Sequence, residues 1–259
     1  MEQISVVVPA RNEEQVLPAC LAALRRQSVQ ASQLIVVDSA SADRTGEVAR
    51  SYGAEVVRVD SPGVARARQA GFARARGAII ASTDTDTRVP PDWLGRWQEV
   101  FRDREVVAAF GGIRYDGWLS LVSRLYPLVQ LASFLLRRPM FPGANFAVRR
   151  DAFRQAGGFR LPDGSFPRGY PEAEDVRLGL KLSQLGRISF LPRACVITSA
   201  RRLQELHGLL LSLRSLRTYL RLGFTEMGPT AVRPPACFHH RPIPARARPF
   251  PSAVSRLAL

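Results

Sequence analysis

The chain has 259 residues, of which 46% are apolar, and its formal net charge at pH 7 is +15. This length allows one large domain or two small ones, and the apolar share excludes a disordered composition. Arginine supplies all but one of the 37 basic residues, and a surface this basic attracts phosphates, nucleic acid or anionic lipid.

The first 95 residues alternate between short apolar runs and segments with helical spacing. The predicted strands cover residues 4–10, 33–40, 54–60 and 78–84. The predicted helices between them cover residues 13–27, 42–53 and 63–77. Strands that alternate with helices favour right-handed crossovers, and they therefore predict a mostly parallel sheet.

The pattern changes in the second part of the chain. Helices are predicted over residues 93–103 and 171–186, strands over 106–117 and 187–199, and a strand followed by a short helix over 141–159. The long apolar run at 118–138 is interrupted by Arg124 and Pro127. It therefore falls short of the roughly 18 uninterrupted apolar residues that a membrane span needs.

The two ends of the chain and its cysteines carry further expectations. A strand begins almost at once, which predicts no signal peptide. Cys20, Cys195 and Cys237 lack metal-ligand spacing and suit a reducing compartment, so we expect a cytoplasmic protein. Residues 229–259 contain many prolines, five arginines and no acidic residue, which predicts a disordered tail outside the fold.

Polar side chains follow three of the predicted strands. Asn12 and Glu13 follow the first strand, Asp38 ends the second and Asp84 ends the fourth. Ligands of open α/β sheets bind beyond the carboxyl ends of the strands, so this arrangement suits a nucleotide site. Capping of the following helix is an equal alternative for Asp38, and it is the favoured interpretation for Asp43.

Two acidic clusters raise the question of what neutralises them. Asp84 and Asp86 lie one residue apart, where like charges repel unless a cation sits between them. A divalent metal is one answer, and a solvated turn is the other. Glu172, Glu174 and Asp175 begin a predicted helix, where the helix dipole alone explains acidic residues.

Six segments in order carry a resemblance to a known family: VVVPARNEE, VVDSASADRT, GVARARQAGFARARG, STDTDTRVPPDWL, GANFAVRRDAFRQAGGF and EAEDVRLGLKL. Together they resemble family 2 glycosyltransferases, including short bacterial members, over roughly residues 3–202. The resemblance implies the α/β fold called GT-A, with a Rossmann-like nucleotide-binding half and a mostly parallel central sheet. It implies one domain over 1–228, divided into a nucleotide-binding half (about 1–95), an acceptor half (about 96–200) and an amphipathic helical region (about 201–228).

The resemblance also implies a donor site. The residues that would wrap the nucleoside are Pro9, Ala10, Arg11, Asn12 and Glu13. Asp38 would hold the base or ribose, although Ser39 stands where the more usual form has a second Asp. Arg68 and Gln69 match the family's Arg-Asn pair near the nucleotide, with Gln in place of Asn.

The family's DXD motif corresponds to Asp84, Thr85 and Asp86. The resemblance implies that Asp84 and Thr85 contact the donor nucleotide, and that Asp84 and Asp86 hold a divalent metal, Mg²⁺ or Mn²⁺. Such an ion neutralises the diphosphate leaving group. The family's general base corresponds to Asp175, which would take a proton from the acceptor hydroxyl during an inverting attack. Glu174 would orient or support the site.

Arg201 and Arg202 follow the last predicted strand. Related short bacterial enzymes of the family carry a basic pair at this point, which implies a contact with the diphosphate. A solvated basic surface is an equal alternative.

Two stretches, 118–138 and 201–224, combine apolar residues with arginines. Residues 201–259 contain ten arginines against Glu205 and Glu226, a net charge of +8. Basic amphipathic helices lie at the surface of anionic bilayers, which would favour a lipid or lipid-linked acceptor and a peripheral position on the inner face of the cytoplasmic membrane. Packing of these helices on the sheet or on a partner subunit is an equal alternative.

Two other functions compete with an inverting, metal-dependent glycosyltransferase. A nucleotidyltransferase would also use paired acids on Mg²⁺, but the segment PARNEEQVLP after the first strand contains no glycine for a phosphate loop. A basic nucleic-acid-binding protein would interleave arginines with aromatic residues on one face, which this sequence does not do. We therefore expect no specific nucleic-acid partner, and DNA binding that vanishes at moderate salt would reflect charge alone.

Overall fold

The computed structural model describes residues 2–117, 120–135, 141–166 and 174–201. The strands in these ranges are β1 (Ile4–Ala10), β2 (Gln33–Ser39), β3 (Glu55–Val59), β4 (Ile79–Thr83), β5 (Thr87–Arg88), β6 (Val106–Tyr115), β7 (Asn145–Arg149) and β8 (Arg187–Thr198). The helices are α1 (Leu17–Arg25), α2 (Thr45–Ser51), α3 (Val64–Arg74), α4 (Trp93–Val100), α5 (Tyr126–Leu135), α6 (Arg150–Gln155) and α7 (Glu174–Ser183), with a 3-10 helix at Val122–Leu125.

The strands form one mixed sheet in the order β3-β2-β1-β4-β7-β6-β8-β5. β1 lies between β2 and β4 and pairs with both in parallel, and β2 pairs with β3 in parallel. β7 runs antiparallel to both β4 and β6, while β8 is parallel to β6 and antiparallel to β5. The predicted α/β fold is confirmed, and its parallel half coincides with the alternating part of the sequence.

The first four strands form where the sequence predicts them, within about one residue of each predicted end. The side chains of β1 and β4 are buried on both faces, apart from the half-buried Pro9, because helices cover both sides of the sheet. This double burial explains why these strands read as continuous apolar runs rather than as alternating ones. The two-residue strand β5 is too short to leave such a pattern and was not predicted.

Helix α3 lies unusually close to the sheet. A Cβ atom added at Gly71 would lie 2.4 Å from Cγ1 of Val7 and 2.8 Å from Cγ2 of Val37. Any side chain at this position would therefore push α3 away from β1 and β2. The close packing fixes the first turns of α3 near the carboxyl ends of the parallel strands, which is where the candidate site lies.

The antiparallel half is joined to the parallel half through Asn145, which begins β7 opposite Thr83 and is fully buried. Its amide nitrogen donates to the carbonyl oxygens of Gly112 (2.8 Å) and Ala194 (2.6 Å), and its side-chain oxygen accepts from Nε1 of Trp93 (2.8 Å). One polar side chain thus connects β7 with β6, β8 and α4, because a buried amide must satisfy its hydrogen bonds inside the protein.

The apolar run at 118–138 contains the 3-10 helix and α5, and no helix within the described ranges is long and apolar enough to cross a membrane. The predicted amphipathic region beyond Arg201 and the predicted tail lie outside the described residues.

Candidate active site

The loops after β1 and β2 are joined by hydrogen bonds into one wall. The side-chain oxygen of Asn12 accepts from the N–H of Ala42 (2.9 Å), and the N–H of Asn12 donates to Oγ of Ser41 (3.0 Å). The N–H of Glu13 donates to Oγ1 of Thr45 (2.8 Å). Asn12 adopts a left-handed backbone conformation (φ 53°), which asparagine tolerates better than most residues.

Asp38 ends β2 and is buried. Its Oδ1 accepts from the N–H of Ser41 (3.0 Å) in the loop before α2, a contact within the loop and not the cap of α2 that was the alternative to nucleotide binding. A Cβ atom at Gly46 would approach its Oδ2 to 3.1 Å, so the start of α2 leaves little room beside this carboxylate. Asp43 accepts from the N–H of Thr45 (3.0 Å), in agreement with the structural role favoured for it.

The loop between β4 and β5 carries Asp84, Thr85 and Asp86. The N–H of Thr87 donates to the carbonyl oxygen of Asp84 (3.1 Å), which closes the turn, and Thr85 is buried. Cys20 in α1 lies beneath the loop and donates to the same carbonyl oxygen (3.4 Å). Burial, together with the charges of Asp84 and Asp86, raises the pKa of the Cys20 thiol far above its usual value, so it stays protonated.

Arg201, just after β8, connects the loop that contains Asp86 with the loop after β1. Its Nη2 contacts both carboxylate oxygens of Glu13 (2.5 and 2.6 Å), and its Nε donates to Oδ2 of Asp86 (3.3 Å). The hydroxyl of Thr198 donates to Oδ1 of Asp86 (3.3 Å), and the N–H of Ser199 donates to its backbone carbonyl oxygen (3.1 Å). Burial disfavours the charged guanidinium, but Glu13 and Asp86 outweigh it and raise the pKa of Arg201.

Arg68 in α3 joins the loop after β4 to the start of α7. It is only 2% exposed; its Nη1 contacts Oε1 of Glu174 (2.6 Å) and its Nη2 contacts Oδ1 of Asp84 (2.7 Å). The backbone at Gly143 lies against the same guanidinium, since a Cβ atom there would come within 2.7 Å of both Nη atoms. The two acidic clusters of the sequence are therefore neighbours across a single arginine.

Both acids at the start of α7 hold protons more tightly than usual. Burial and the charge of Asp175 raise the pKa of Glu174 to about 7, against the opposing effect of Arg68. Burial also raises the pKa of Asp175, although Arg68 and the N–H groups of Val176 (2.8 Å) and Gly143 (2.7 Å) stabilise its charged form. The backbone contacts expected at a helix start are present, but loss of water outweighs them.

Gln69, which the sequence placed near the nucleotide, makes its described contact away from this cluster. The side-chain oxygen of Gln69 accepts from the N–H of Phe159 (2.9 Å), so Gln69 holds the turn after α6. Gly158 in that turn has no space for a Cβ atom, which would lie 2.3 Å from Oε1 of Gln69. Arg202 lies outside the described residues.

The carboxylates of Asp84 and Asp86 suit a hard divalent cation. The described residues contain no group of three or more His, Cys, Asp or Glu side chains that could hold a metal by themselves. Magnesium in phosphate-binding sites commonly uses one or two carboxylates and completes its shell with phosphate oxygens and water. Two carboxylates on one loop therefore fit an ion that binds together with a diphosphate.

The fold is the GT-A fold of nucleotide-sugar glycosyltransferases. A mannosyltransferase of Pyrobaculum calidifontis, solved with GDP-Man and Mn²⁺, superposes on this chain with a TM-score of 0.64 at 22% sequence identity. The superposition covers 83% of this chain and 64% of the mannosyltransferase chain. The glucosyl-3-phosphoglycerate synthase of Mycobacterium tuberculosis, solved with Mn²⁺, UDP and glucosyl-3-phosphoglycerate, superposes with a TM-score of 0.57 at 21% identity. This superposition covers 85% of this chain and 79% of the synthase chain.

The sequence profile of glycosyl transferase family 2 matches residues 5–157, so the chain belongs to this family. A dolichyl-phosphate hexose transferase of Haloferax volcanii is 29% identical over 140 residues, 52% of this chain and 60% of that protein. A 4,4'-diaponeurosporenoate glycosyltransferase of Staphylococcus haemolyticus is 50% identical over 58 residues, 22% of this chain. The chain spans only 15% of that second relative's length and 60% of the first.

Proposed function

We propose that the protein transfers a sugar from a nucleoside-diphosphate sugar to an acceptor hydroxyl, with inversion of configuration. The observation that carries this proposal is the bridge through Arg68, which contacts Asp84 at 2.7 Å and Glu174 at 2.6 Å. It sets the loop suited to a leaving diphosphate beside the acids suited to an incoming hydroxyl. Family membership and the metal and nucleotide ligands named for the two solved structures support the same reaction.

The nucleoside would bind against the joined loops after β1 and β2. Pro9 and Ala10 end β1, and Arg11 and Asn12 follow as exposed residues on the rim. Asp38 would contact the base or ribose from the end of β2. Because the two loops are held together by hydrogen bonds, this wall is ordered before the donor arrives, which lowers the entropic cost of binding.

Asp84 and Asp86 would hold Mg²⁺ or Mn²⁺, and Thr85 would contact the donor between them. When bound, the ion neutralises the charge of the leaving diphosphate and so lowers the barrier to its departure. Arg201 contacts Asp86 at 3.3 Å, so a cationic side chain stands beside this loop. We assign it a contact with the diphosphate, together with Arg202.

Asp175 would act as the general base. Its two oxygens accept from the N–H groups of Gly143 and Val176, which fixes the orientation of the carboxylate. A raised pKa makes a carboxylate a stronger base near neutral pH, which suits removal of the hydroxyl proton as the oxygen attacks the anomeric carbon. Attack from the side opposite the diphosphate inverts the configuration and needs no covalent enzyme intermediate. Glu174 would position Arg68 and support the site.

The acceptor would be a lipid or a lipid-linked molecule, and the protein would work as a peripheral enzyme on the inner face of the cytoplasmic membrane. The name of the Haloferax volcanii relative, a dolichyl-phosphate hexose transferase, supports this class of acceptor. The proposed organisation remains one catalytic domain over residues 1–228 followed by a tail at 229–259.

A thermal-shift screen of UDP-, GDP- and TDP-sugars with Mn²⁺ and Mg²⁺ tests the donor. We expect one nucleotide sugar to raise the melting temperature only when the metal is present. Nuclear magnetic resonance of the first product then tests inversion at the anomeric carbon. No metal-dependent shift with any nucleotide sugar, or retention of configuration in the product, would contradict the proposal.

A further inference from the structure

Four large apolar side chains share the solvent-facing side of the segment that ends in α5. Leu121, Leu125, Leu128 and Val129 are 70, 62, 59 and 52% exposed. Leu128 and Val129 lie three and four residues after Leu125, which is the spacing of one helical face. Among the residues whose side-chain burial is described, the next most exposed large apolar side chain is Ile197, at 44%. A contiguous apolar face of this kind marks an interaction surface on a water-exposed protein.

The opposite side of the same segment is occupied by the sheet. A Cβ atom at Gly112 would lie 3.2 Å from Pro127, the side-chain oxygen of Gln130 accepts from the N–H of Ile113 (3.1 Å), and Phe134 is buried. The segment is therefore anchored by one side, so its apolar side cannot turn inward.

Arginines border the apolar face. Arg124 is exposed within the segment itself. Arg114 in β6, Ile197 in β8 and Arg88 in β5 are paired across the three strands, so these exposed side chains share one face of the sheet. This face of the sheet is the one covered by α5. Gly112 lies against α5, and residues two apart in a strand, such as Gly112 and Arg114, face the same side. Arg88 contacts the carboxylate of Asp116 (3.4 Å), so Arg114 and Arg124 supply the basic border of the apolar face.

This surface reaches the rim of the proposed active site. The N–H of Tyr115 donates to Oγ of Ser123 (3.0 Å), which fixes the 3-10 helix to the end of β6. Tyr115 pairs with Thr198, whose hydroxyl donates to Asp86. Three contacts therefore lead from the 3-10 helix to Asp86 in the proposed metal loop.

We propose that Leu121, Leu125, Leu128 and Val129, with Arg124 and Arg114 at their border, dock onto a bilayer that contains anionic lipid. Apolar side chains beside arginines match the two layers of such a surface, acyl chains and negatively charged headgroups. This inference rests on the proposed function in one respect: a lipid acceptor gives the surface its purpose, because a docked membrane would present that acceptor at the rim of the site.

Charge decides between the membrane and two other occupants. Residues 202–224 of this chain contain four arginines and one glutamate, and a second copy would bring the same arginines that border the face. Either occupant would place like charges side by side, whereas anionic headgroups would pair with them.

Co-sedimentation of the full-length protein with sucrose-loaded vesicles tests the proposal without any sugar donor. The probe is a phosphatidylcholine vesicle that contains about 30% phosphatidylglycerol, and we expect the unmodified protein to bind it. The double variant Leu125→Gln/Leu128→Gln should partition onto these vesicles at least about tenfold more weakly. Arg124→Gln should weaken partitioning about fivefold. The matched control is Arg104→Gln. Arg104 is an exposed arginine just before β6, roughly 30 Å along that strand from Arg114. This variant should bind vesicles like the unmodified protein.

Each contrary result identifies another occupant. Equal binding by the double leucine variant would place membrane contact elsewhere in the chain and overturn the inference. A lower melting temperature of that variant would mean that its own chain covers the face, and loss of self-association in light scattering would point to a second copy. A protein that binds vesicles but transfers no sugar would refute the proposed sugar transfer and leave this inference standing. One that transfers sugar but binds no vesicles would refute this inference, together with the peripheral membrane position, and leave the proposed sugar transfer standing.

Discussion

The loop pair, Asp84 and Asp86, and the helix pair, Glu174 and Asp175, hold their carboxylates in different ways. The two loop carboxylates contact different arginines, and the side chains of Asp84 and Asp86 are 24 and 6% exposed. At the start of α7 the Glu174 side chain is 8% exposed and shares Arg68 with Asp84, and burial raises the pKa of both helix acids. From this contrast we infer a division of labour, in which the loop pair suits a cation and the more basic helix pair suits a proton.

The two pairs are nevertheless coupled, because Arg68 is shared between them. One guanidinium faces Asp84 and Glu174 directly, and Asp175 is close enough to affect its pKa. Burial disfavours the charge of Arg68, but these acids outweigh it and keep the guanidinium protonated. Removing one member of this cluster should therefore alter the others, and the following changes separate the two pairs.

The largest effect on stability is expected from Arg68→Met. Loss of the guanidinium leaves Glu174 buried without its partner, and breaking a buried ion pair from one side typically costs about 3–5 kcal/mol. Denaturant unfolding measures this change. The matched control is Arg66→Met on the exposed side of α3, whose contact over the Phe166 ring should be worth less than about 1 kcal/mol. Similar losses for both variants would mean that Arg68 is not the link between the pairs.

The largest effect on turnover is expected from Asp175→Asn. The amide keeps the shape of the side chain, and its one oxygen can still accept from the N–H of either Gly143 or Val176, but it cannot take a proton. We expect normal folding, near-normal donor binding and a turnover loss of at least about a hundredfold, measured as nucleoside diphosphate release in the presence of acceptor. Glu174→Gln should lose less, since it retains an oxygen for Arg68. The reverse order would exchange the roles of the two acids, and no loss in either variant would locate the base elsewhere.

For the loop pair we expect Asp86→Ala to remove metal-dependent donor binding. A donor–metal mixture at about ten times its dissociation constant stabilises the folded protein by about 1.4 kcal/mol, and the variant should lose this gain. Thermal shift with and without Mn²⁺ measures it. Asp151→Ala, which removes a side chain that is 90% exposed on α6, is the control and should keep the full shift. An undiminished shift in Asp86→Ala would make the loop structural.

The parallel half of the fold was predictable because its signals are local. The apolar run SVVV, with helical patterns on either side of its strand, predicts a buried strand and forms one in β1. The helix predicted over residues 63–77 also forms, although α3 ends at Arg74, three residues before Gly77. Asp38 and Asp84 could be placed at the rim of the sheet for the same reason, because they fall at strand ends that periodicity alone locates. Short-range patterns thus specify which residues reach the rim of the sheet.

The connections across that rim were not predictable, because they depend on packing between distant segments. Arg68 and Glu174 are 106 positions apart, and Arg201 and Glu13 are 188 apart, so no spacing rule relates them. Asn145 lies in an ordinary strand pattern that gives no sign of its three buried hydrogen bonds. Gln69 follows an arginine that does reach the acids, yet the turn of the helix directs it to Phe159 instead.

The smallest effect in this series is the pH dependence that Glu174 should give to stability. Its pKa is about 7 in the folded protein against an ordinary value of 4.5, so between these values the folded state binds more protons than the unfolded state. Stability from this group is therefore complete below about pH 4.5 and lost as the pH rises through 7.

Glu174→Gln tests that dependence because it removes the titration and keeps an acceptor for Arg68. Between pH 5 and 6 the unmodified protein should lose about 1 kcal/mol more stability than the variant, since one titrating proton contributes at most about 1.4 kcal/mol per pH unit. Urea unfolding at the two pH values measures the difference. Parallel changes in both proteins would mean that Arg68 keeps Glu174 ionised throughout. The helix pair would then resemble the loop pair, and the division of labour between a cation site and a proton site would rest on Asp175 alone.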